Sequence, residues 1–240
     1  MNVIPIHPVA GMARGGRQPH CLHCRAAPFC IAVRVRASAA HAQLQTRRIR
    51  LIRDEVLFRP GDAAGNRFYA LHYGAIKHTL ANAVGQDKIV GFLMSGELLG
   101  LEAIASNRHK GCATALEDSE VCEIHCGDLL STPTLLHSVL SRQIAREQRA
   151  ADVLRNDTAG QRFAAFLMDY SRRYQKRGYS AHRFRLVMSR QDIANYLALT
   201  PESLSRVIAH LKQARLLDVQ EREVTLLEPA RLQRLASEGH

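Results

Sequence analysis

Residues Ser189 to Leu211 constrain this chain more than any other stretch, because two helix starts are written into them side by side. Ser189-Arg190-Gln191-Asp192 has a hydroxyl at the cap position and an acid three residues later, the pattern that closes the first backbone N–H groups of a helix, and Ile193, Ala194 and Leu197 supply its buried face. A short turn follows. Thr200 can cap a second helix with Pro201 at its first position, where the missing N–H does no harm. Leu204, Val207, Ile208 and Leu211 then point inward at helical spacing, leaving Glu202, Ser205, Arg206 and Ala209 outside. Two short helices joined this tightly describe a helix-turn-helix, whose second helix enters the major groove of DNA. The outer residues suit base reading, since Arg206 can fork onto guanine O6 and N7, Glu202 can accept from cytosine N4, and Ser205 can reach a base or a phosphate. Leu217 to Leu227, polar at Gln220 to Glu223, reads as a hairpin wing beside them.

Charge agrees with a polyanionic partner. The 240 residues carry a formal net charge of +11, and residues 159–240 hold 14 Lys and Arg against 8 Asp and Glu. Charge by itself fits a solvated basic surface equally well, whereas cap, turn, basic surroundings and wing together point to double-stranded DNA. No apolar run reaches spanning length, so a soluble, cytoplasmic protein with no membrane partner is expected. The sequence has no P-loop, no dinucleotide fingerprint and no convincing catalytic triad, and an enzyme is not expected.

The second constraint is sulfur. Cys21, Cys24 and Cys30 place half of the six cysteines in ten residues with the spacing C-x2-C-x5-C, and six cysteines in a chain of this length do not make a secreted disulfide scaffold. Two residues between thiolates let one tight turn aim both at a single ion or cluster edge. Three thiols lack the fourth ligand that a closed zinc site or a cubane iron-sulfur cluster needs. The candidates are Cys112, Cys122 and Cys126; strand alternation puts Cys122, Ile124 and Cys126 on one face and does not choose among them. His20 and His23 interleave the motif, which keeps zinc open. Residues 1–53 contain nine arginines and no acid, and read as a basic arm.

Between these ends the texture changes twice. An Ala-rich stretch over Ile31 to Gln45 predicts a short helix. Val56–Phe58, Phe68–Leu71, Ile76–Leu80, Ile89–Met94 and Val121–Ile124 are short strand-like runs separated by glycine turns, which implies a small antiparallel barrel or roll. After Pro133 turn residues vanish and one long helix should run to about Asn156, followed by a second over Gly160 to Gln175 that buries Phe163, Phe166, Leu167 and Tyr170. On a 3-4 repeat, His137, Leu140, Ile144, Glu147, Ala151 and Leu154 form a seam of the kind that pairs two helices in a homodimer. In a symmetric pair Glu147 would meet its own copy, a repulsion of about 1 to 4 kcal/mol, so dimerisation would be marginal; Glu147 turned outward, with Gln143 or Gln148 in register, is the alternative. The expected organisation is an arm over 1–46, a β-roll over 47–131, a dimerisation helix over 132–157 and a winged helix-turn-helix over 158–240, an α+β fold.

In that order these parts resemble the catabolite activator and Fnr superfamily of bacterial transcription regulators. Ser189-Arg190-Gln191-Asp192-Ile193-Ala194-Asn195-Tyr196-Leu197-Ala198-Leu199-Thr200-Pro201-Glu202-Ser203-Leu204-Ser205-Arg206 is similar to the family's DNA-binding signature, with Ala198 where glycine is common. The resemblance therefore implies DNA contacts from Ser189, Arg190, Gln191, Thr200, Ser203, Glu202, Ser205 and Arg206. Cyclic-nucleotide binders of the family carry an Arg-Ser or Arg-Thr pair after the Gly-Glu turn; here Gly96-Glu97 leads to Lys110-Gly111-Cys112-Ala113-Thr114-Ala115, and no cyclic nucleotide is expected. The cysteine arm, together with Ala115 to Ile124, resembles the oxygen-responsive Fnr type. That resemblance implies a 4Fe-4S cluster on Cys21, Cys24, Cys30 and Cys122, Cys112 and Cys126 being ordinary small packing residues. It also implies an operator like TTGAT-N4-ATCAA and a contact of the Asn82 to Lys88 turn with RNA polymerase.

Overall fold

The computed structural model describes residues 27, 28, 30, 47–81, 85–127 and 133–237. The helix expected over 31–45, Cys21, Cys24 and the tip of the 82–88 turn lie outside the described residues.

Two four-stranded antiparallel sheets form the first half. One orders Arg47–Leu51 (β1), Ser119–His125 (β8), Arg67–Tyr73 (β3) and Leu98–Leu99 (β6); the other orders Val56–Phe58 (β2), Gly111–Ala115 (β7), Ala75–Ala81 (β4) and Asp87–Met94 (β5). The sheets close on Leu51, Phe58, Leu71, Ile76, Leu93, Leu99, Ala113, Ala115 and Val121. Gly74 makes the β3–β4 reversal with φ +88, and a Cβ there would run into Ser119, so only glycine fits. β1, β6 and β7 were not legible as strands: the first is dominated by Arg47, Arg48 and Arg50, the second is two residues long, and Gly111-Cys112-Ala113-Thr114-Ala115 has too little bulk to announce a strand.

Strand β8 is buried on both faces. Val121 faces the roll interior, while Ile124, with Phe68 and Ala70 of β3, packs outward against Cys30, Cys126 and Val139. Val139 belongs to Pro133–Arg155 (α1), a helix of 23 residues that matches the expected long helix within one residue at its C-terminal end. Ala159–Lys176 (α2) follows, started by a capping box between Thr158 and Gln161, and its Phe163, Phe166, Leu167 and Tyr170 are buried as the sequence period requires.

The last third holds Arg190–Tyr196 (α3), Pro201–Gln213 (α4), Leu217–Gln220 (β10), Glu223–Leu226 (β11) and Pro229–Ser237 (α5). The wing has three strands, because Arg183–Arg185 (β9) pairs with β11. Its apolar core runs without a break onto the roll: Ile89, Phe92 and Met94 of β5 belong to the same packed group as Phe166, Tyr196 and Leu204.

Candidate functional site

The second helix of the head is built as the sequence dictates. Thr200 accepts from Ser203 N, Pro201 occupies the first turn, and Leu204, Ile208 and Leu211 are buried, with Val207 half-buried. Ser189 and Asp192 form a reciprocal capping box at the start of α3. Between the helices Ala198 adopts φ +54, the left-handed conformation that costs a side-chain-bearing residue about 1 to 2 kcal/mol; this is the physical reason glycine suits the position.

Glu202, Ser205 and Arg206 are all exposed on one side of α4. Glu202 is held below its ordinary carboxylate range by hydrogen bonds from its own backbone N–H and from Thr200, with Arg206 adding to the effect. It is therefore an acceptor only, as contact with an exocyclic amine requires. Ser205 Oγ donates to Pro201 O at 2.8 Å, so its hydroxyl proton is spent on the helix backbone and its lone pairs face outward. Arg206 Nη2 donates to Ser203 Oγ at 3.3 Å, a contact weak enough to yield to a base edge. Arg190 reaches the wing, donating to Glu221 O at 3.4 Å, and Gln191 is exposed. The eight residues expected at a DNA surface thus fall on the first turn of α3, the first two turns of α4 and the two helix caps.

The cysteines divide. Cys122 pairs across the sheet with Ala70 of β3 and Arg48 of β1, which puts its side chain on the face where Cys30 packs against Phe68, Ala70 and Ile124. Cys126, just past the end of β8, belongs to the same packed group, so position admits it beside Cys122; burial pushes its thiol up, which favours an inert protonated group. Cys112 lies on the other sheet, half-buried, with its Sγ 3.6 Å from Thr114 Oγ1. On the same face of β8, the buried Glu120 collects Arg48 at 3.2 Å, Arg50 at 3.1 Å and His72 at 3.0 Å. Burial lowers the His72 pKa, with Arg48 adding to the effect and Glu120 opposing it. No group of three metal-binding side chains occurs among the described residues.

On α1, Leu140 and Ile144 are exposed at 44% and 57%, while their neighbours Val139 and Val153 are buried against the chain's own body. Ala151 is exposed and Leu154 half-buried. Glu147 accepts from Gln143 Nε2 at 2.7 Å and Arg146 Nη2 at 2.9 Å, so its charge is partly answered within the helix.

Sequence reasoning missed the contacts that join head to roll. Arg173 and Arg177, at the C-terminal end of α2, reach Glu97 of the Gly96-Glu97 turn at 2.7 and 2.8 Å, and Arg173 also donates to Phe92 O at 2.6 Å. Burial raises the Glu97 pKa, but the two guanidinium groups outweigh it and hold the carboxyl at about 2. Asp192 is similarly overdetermined: burial is outweighed by hydrogen bonds from Lys77, at 2.8 Å, and Ser189. Asn195 accepts from Ile89 N at 2.7 Å and donates to Asp87 O at 3.0 Å, continuing β5 into α3. Partners 76 to 115 residues apart leave no local signal.

Comparison with known proteins agrees with this geometry. Residues 48–132 match the model of the cyclic nucleotide-binding domain, and residues 161–235 match that of the Crp-like helix-turn-helix domain. The transcriptional activator protein Anr of Pseudomonas protegens is 37% identical over 93% of this chain and 95% of its own length. The fumarate and nitrate reduction regulatory protein of Vibrio cholerae is 33% identical over 92% of each. Among solved structures, FixK2 from Bradyrhizobium japonicum superposes with a TM-score of 0.70 at 26% identity, covering 80% of this chain and 98% of that one. β-roll, long helix and winged reading head, in this order and with relatives along nearly the whole length, make the chain a Fnr-type member of the CRP/FNR family of transcription regulators.

Proposed function

We propose that this regulator is oxygen-responsive, that Cys21, Cys24, Cys30 and Cys122 hold a 4Fe-4S cluster, and that the loaded protein pairs through α1 and binds an inverted repeat like TTGAT-N4-ATCAA. The observation that carries the reading is the position of Cys30 on the outer sheet face that also bears Cys122. Cys24 and Cys21 precede Cys30 by six and nine residues, a tether of about 20 to 30 Å when extended, so all four sulfurs can converge. Four thiolates are the donor set of a cubane cluster, and the residues present fit it. When bound, such a cluster supplies an oxygen-labile link between the arm and the sheet.

The chain's own residues transmit that link. Cys30 and Val139 share one packed group, so an ordered arm fixes the lean of α1. Leu140 and Ile144, on the other side of that helix, are then presented together to a second copy. Pairing sets two reading heads on half-sites one DNA turn apart, and Glu202, Ser205 and Arg206 of each enter the major groove. A regulator of this kind also engages RNA polymerase, for which the β4–β5 hairpin is the proposed surface. A cyclic nucleotide has no place in the proposal: no Arg-Ser pair follows Gly96-Glu97, and the Glu97 carboxylate is already paired to Arg173 and Arg177.

Protein prepared without oxygen, analysed for iron, acid-labile sulfide and zinc and assayed for mass and DNA binding before and after air, tests the reading. About four iron and four sulfide per chain, a dimer, and loss of both mass and binding in air are expected. Cys122→Ser should abolish the colour and the anaerobic dimer. A zinc-loaded, sulfide-free protein, or a Cys122→Ser variant that dimerises equally well, overturns the reading.

A further inference from the structure

The C-terminal helix α5 has one apolar side and one cationic side. Leu232 is fully buried, and Leu235 and Ala236 pack on the head's core. Arg231 and Arg234, three residues apart and therefore on one face, are both exposed. They do not face empty solvent. Together with Arg206 and His210 of α4 and the first turn of α2 at Thr158 and Gly160, they wall a groove of about 750 Å³.

Two properties of this groove stand out physically. It is lined by three arginines and a histidine and by no carboxylate. Nor does Arg206, Arg231 or Arg234 form an ion pair within 4.0 Å among the described residues. Three arginines lining a groove that holds no carboxylate give it a positive potential that attracts an anion. Second, Arg206 is common to the groove and to the base-reading side of α4. A duplex that admits α4 into its major groove carries one of its strands past the groove, and phosphate is the anion that arrives.

We propose that α5 is a DNA-backbone clamp: Arg231 and Arg234 bind phosphates of the strand that borders the major groove occupied by α4. The inference rests on the reading of this chain as a DNA-binding regulator and extends it to a helix outside the helix-turn-helix and its wing. Contacts of this type position the head and carry no sequence information, so their signature is salt dependence without loss of base discrimination.

The experiment uses the full chain in its DNA-binding state and a 40-base-pair duplex carrying TTGAT-N4-ATCAA, with a duplex of swapped half-site bases as comparator. Affinity is measured between 50 and 200 mM salt for wild type, Arg231→Ala/Arg234→Ala, Arg231→Lys/Arg234→Lys, and a control pair, Arg59→Ala/Lys110→Ala, that removes equal charge from exposed positions of the roll. Two contacts in each of two subunits contribute about 3.6 to the salt slope, so wild-type affinity should fall about 100-fold more across this range than that of the alanine pair. The ratio of cognate to swapped affinity should be unchanged, the lysine pair should recover the slope, and the control should keep it. A wild-type slope in the alanine pair, or an equal loss in the control, refutes the clamp while leaving DNA binding intact. Wild-type protein that binds neither duplex refutes the underlying DNA-binding reading as well. An alanine pair that loses the cognate preference in the way Arg206→Ala does would make α5 a reader of bases and overturn the inference.

Discussion

Glu97→Gln tests the union of head and roll most directly. The carboxylate is 16% exposed and sits between Arg173 and Arg177, themselves 16% and 9% exposed. Its pKa of about 2 against an ordinary 4.5 corresponds to about 3 kcal/mol of folded-state stabilisation, and removing one member of a buried pair costs about 3 to 5 kcal/mol by independent reckoning. The amide keeps the shape and removes the charge that answers both guanidinium groups, with Asp169 still 3.5 Å from Arg173. Urea unfolding at pH 7 should therefore show a loss of about 3 kcal/mol. The sign of the pH dependence is fixed: a carboxyl whose pKa is depressed on folding stabilises above about 4.5 and loses that contribution as pH falls toward about 2, so the gap between wild type and variant should narrow by about 1 kcal/mol at pH 3.5. Adding Arg173→Gln to Glu97→Gln should cost less than the sum of the two single changes. A single-variant loss under about 0.5 kcal/mol, or strict additivity, would refute the assignment of these groups as a coupled, desolvated cluster.

Three further outcomes are expected. Arg206→Ala should weaken operator binding by about 1 to 3 kcal/mol and flatten the preference at one base pair, read by anisotropy on base-swapped duplexes; uniform weakening across duplexes would reassign Arg206 to phosphate. Ala198→Gly should raise head stability by about 0.5 to 1 kcal/mol in thermal melts, because φ +54 strains alanine and suits glycine; a loss would show that the methyl group packs. Glu147→Ala should tighten dimerisation about fivefold in air, the low end of a like-charge repulsion, since Arg146 already answers part of the charge. Sedimentation of an unchanged dimer constant would place Glu147 outside the seam.

Periodicity carried the sequence reading furthest where one segment decides its own fate. The caps at Ser189 and Thr200, Pro201, and the inward set Leu204, Ile208 and Leu211 are local facts, and the structure has them as read. The long helix and the buried aromatic face of α2 were equally legible. What resisted was anything decided across the chain. The small residues of β7 become a strand only because β2 and β4 pair with them on both sides. Arg173 and Arg177 look like ordinary end-of-helix cations until Glu97, far away in sequence, takes both. Nothing local marks Asn195, yet its amide extends the β5 edge. For the sulfur site, alternation along β8 could name a face and not a ligand, and that face does receive Cys30.

Strand β8 has one further consequence. Its odd member Val121 fills the interior between the two sheets, whereas its even members Cys122 and Ile124 look toward Cys30 and α1. Two jobs are therefore interleaved along a single ribbon with a repeat of two. A substitution at Val121 and one at Ile124, three positions along, report on different things, the first on whether the roll holds together at all and the second on how closely the long helix is seated on its outer surface.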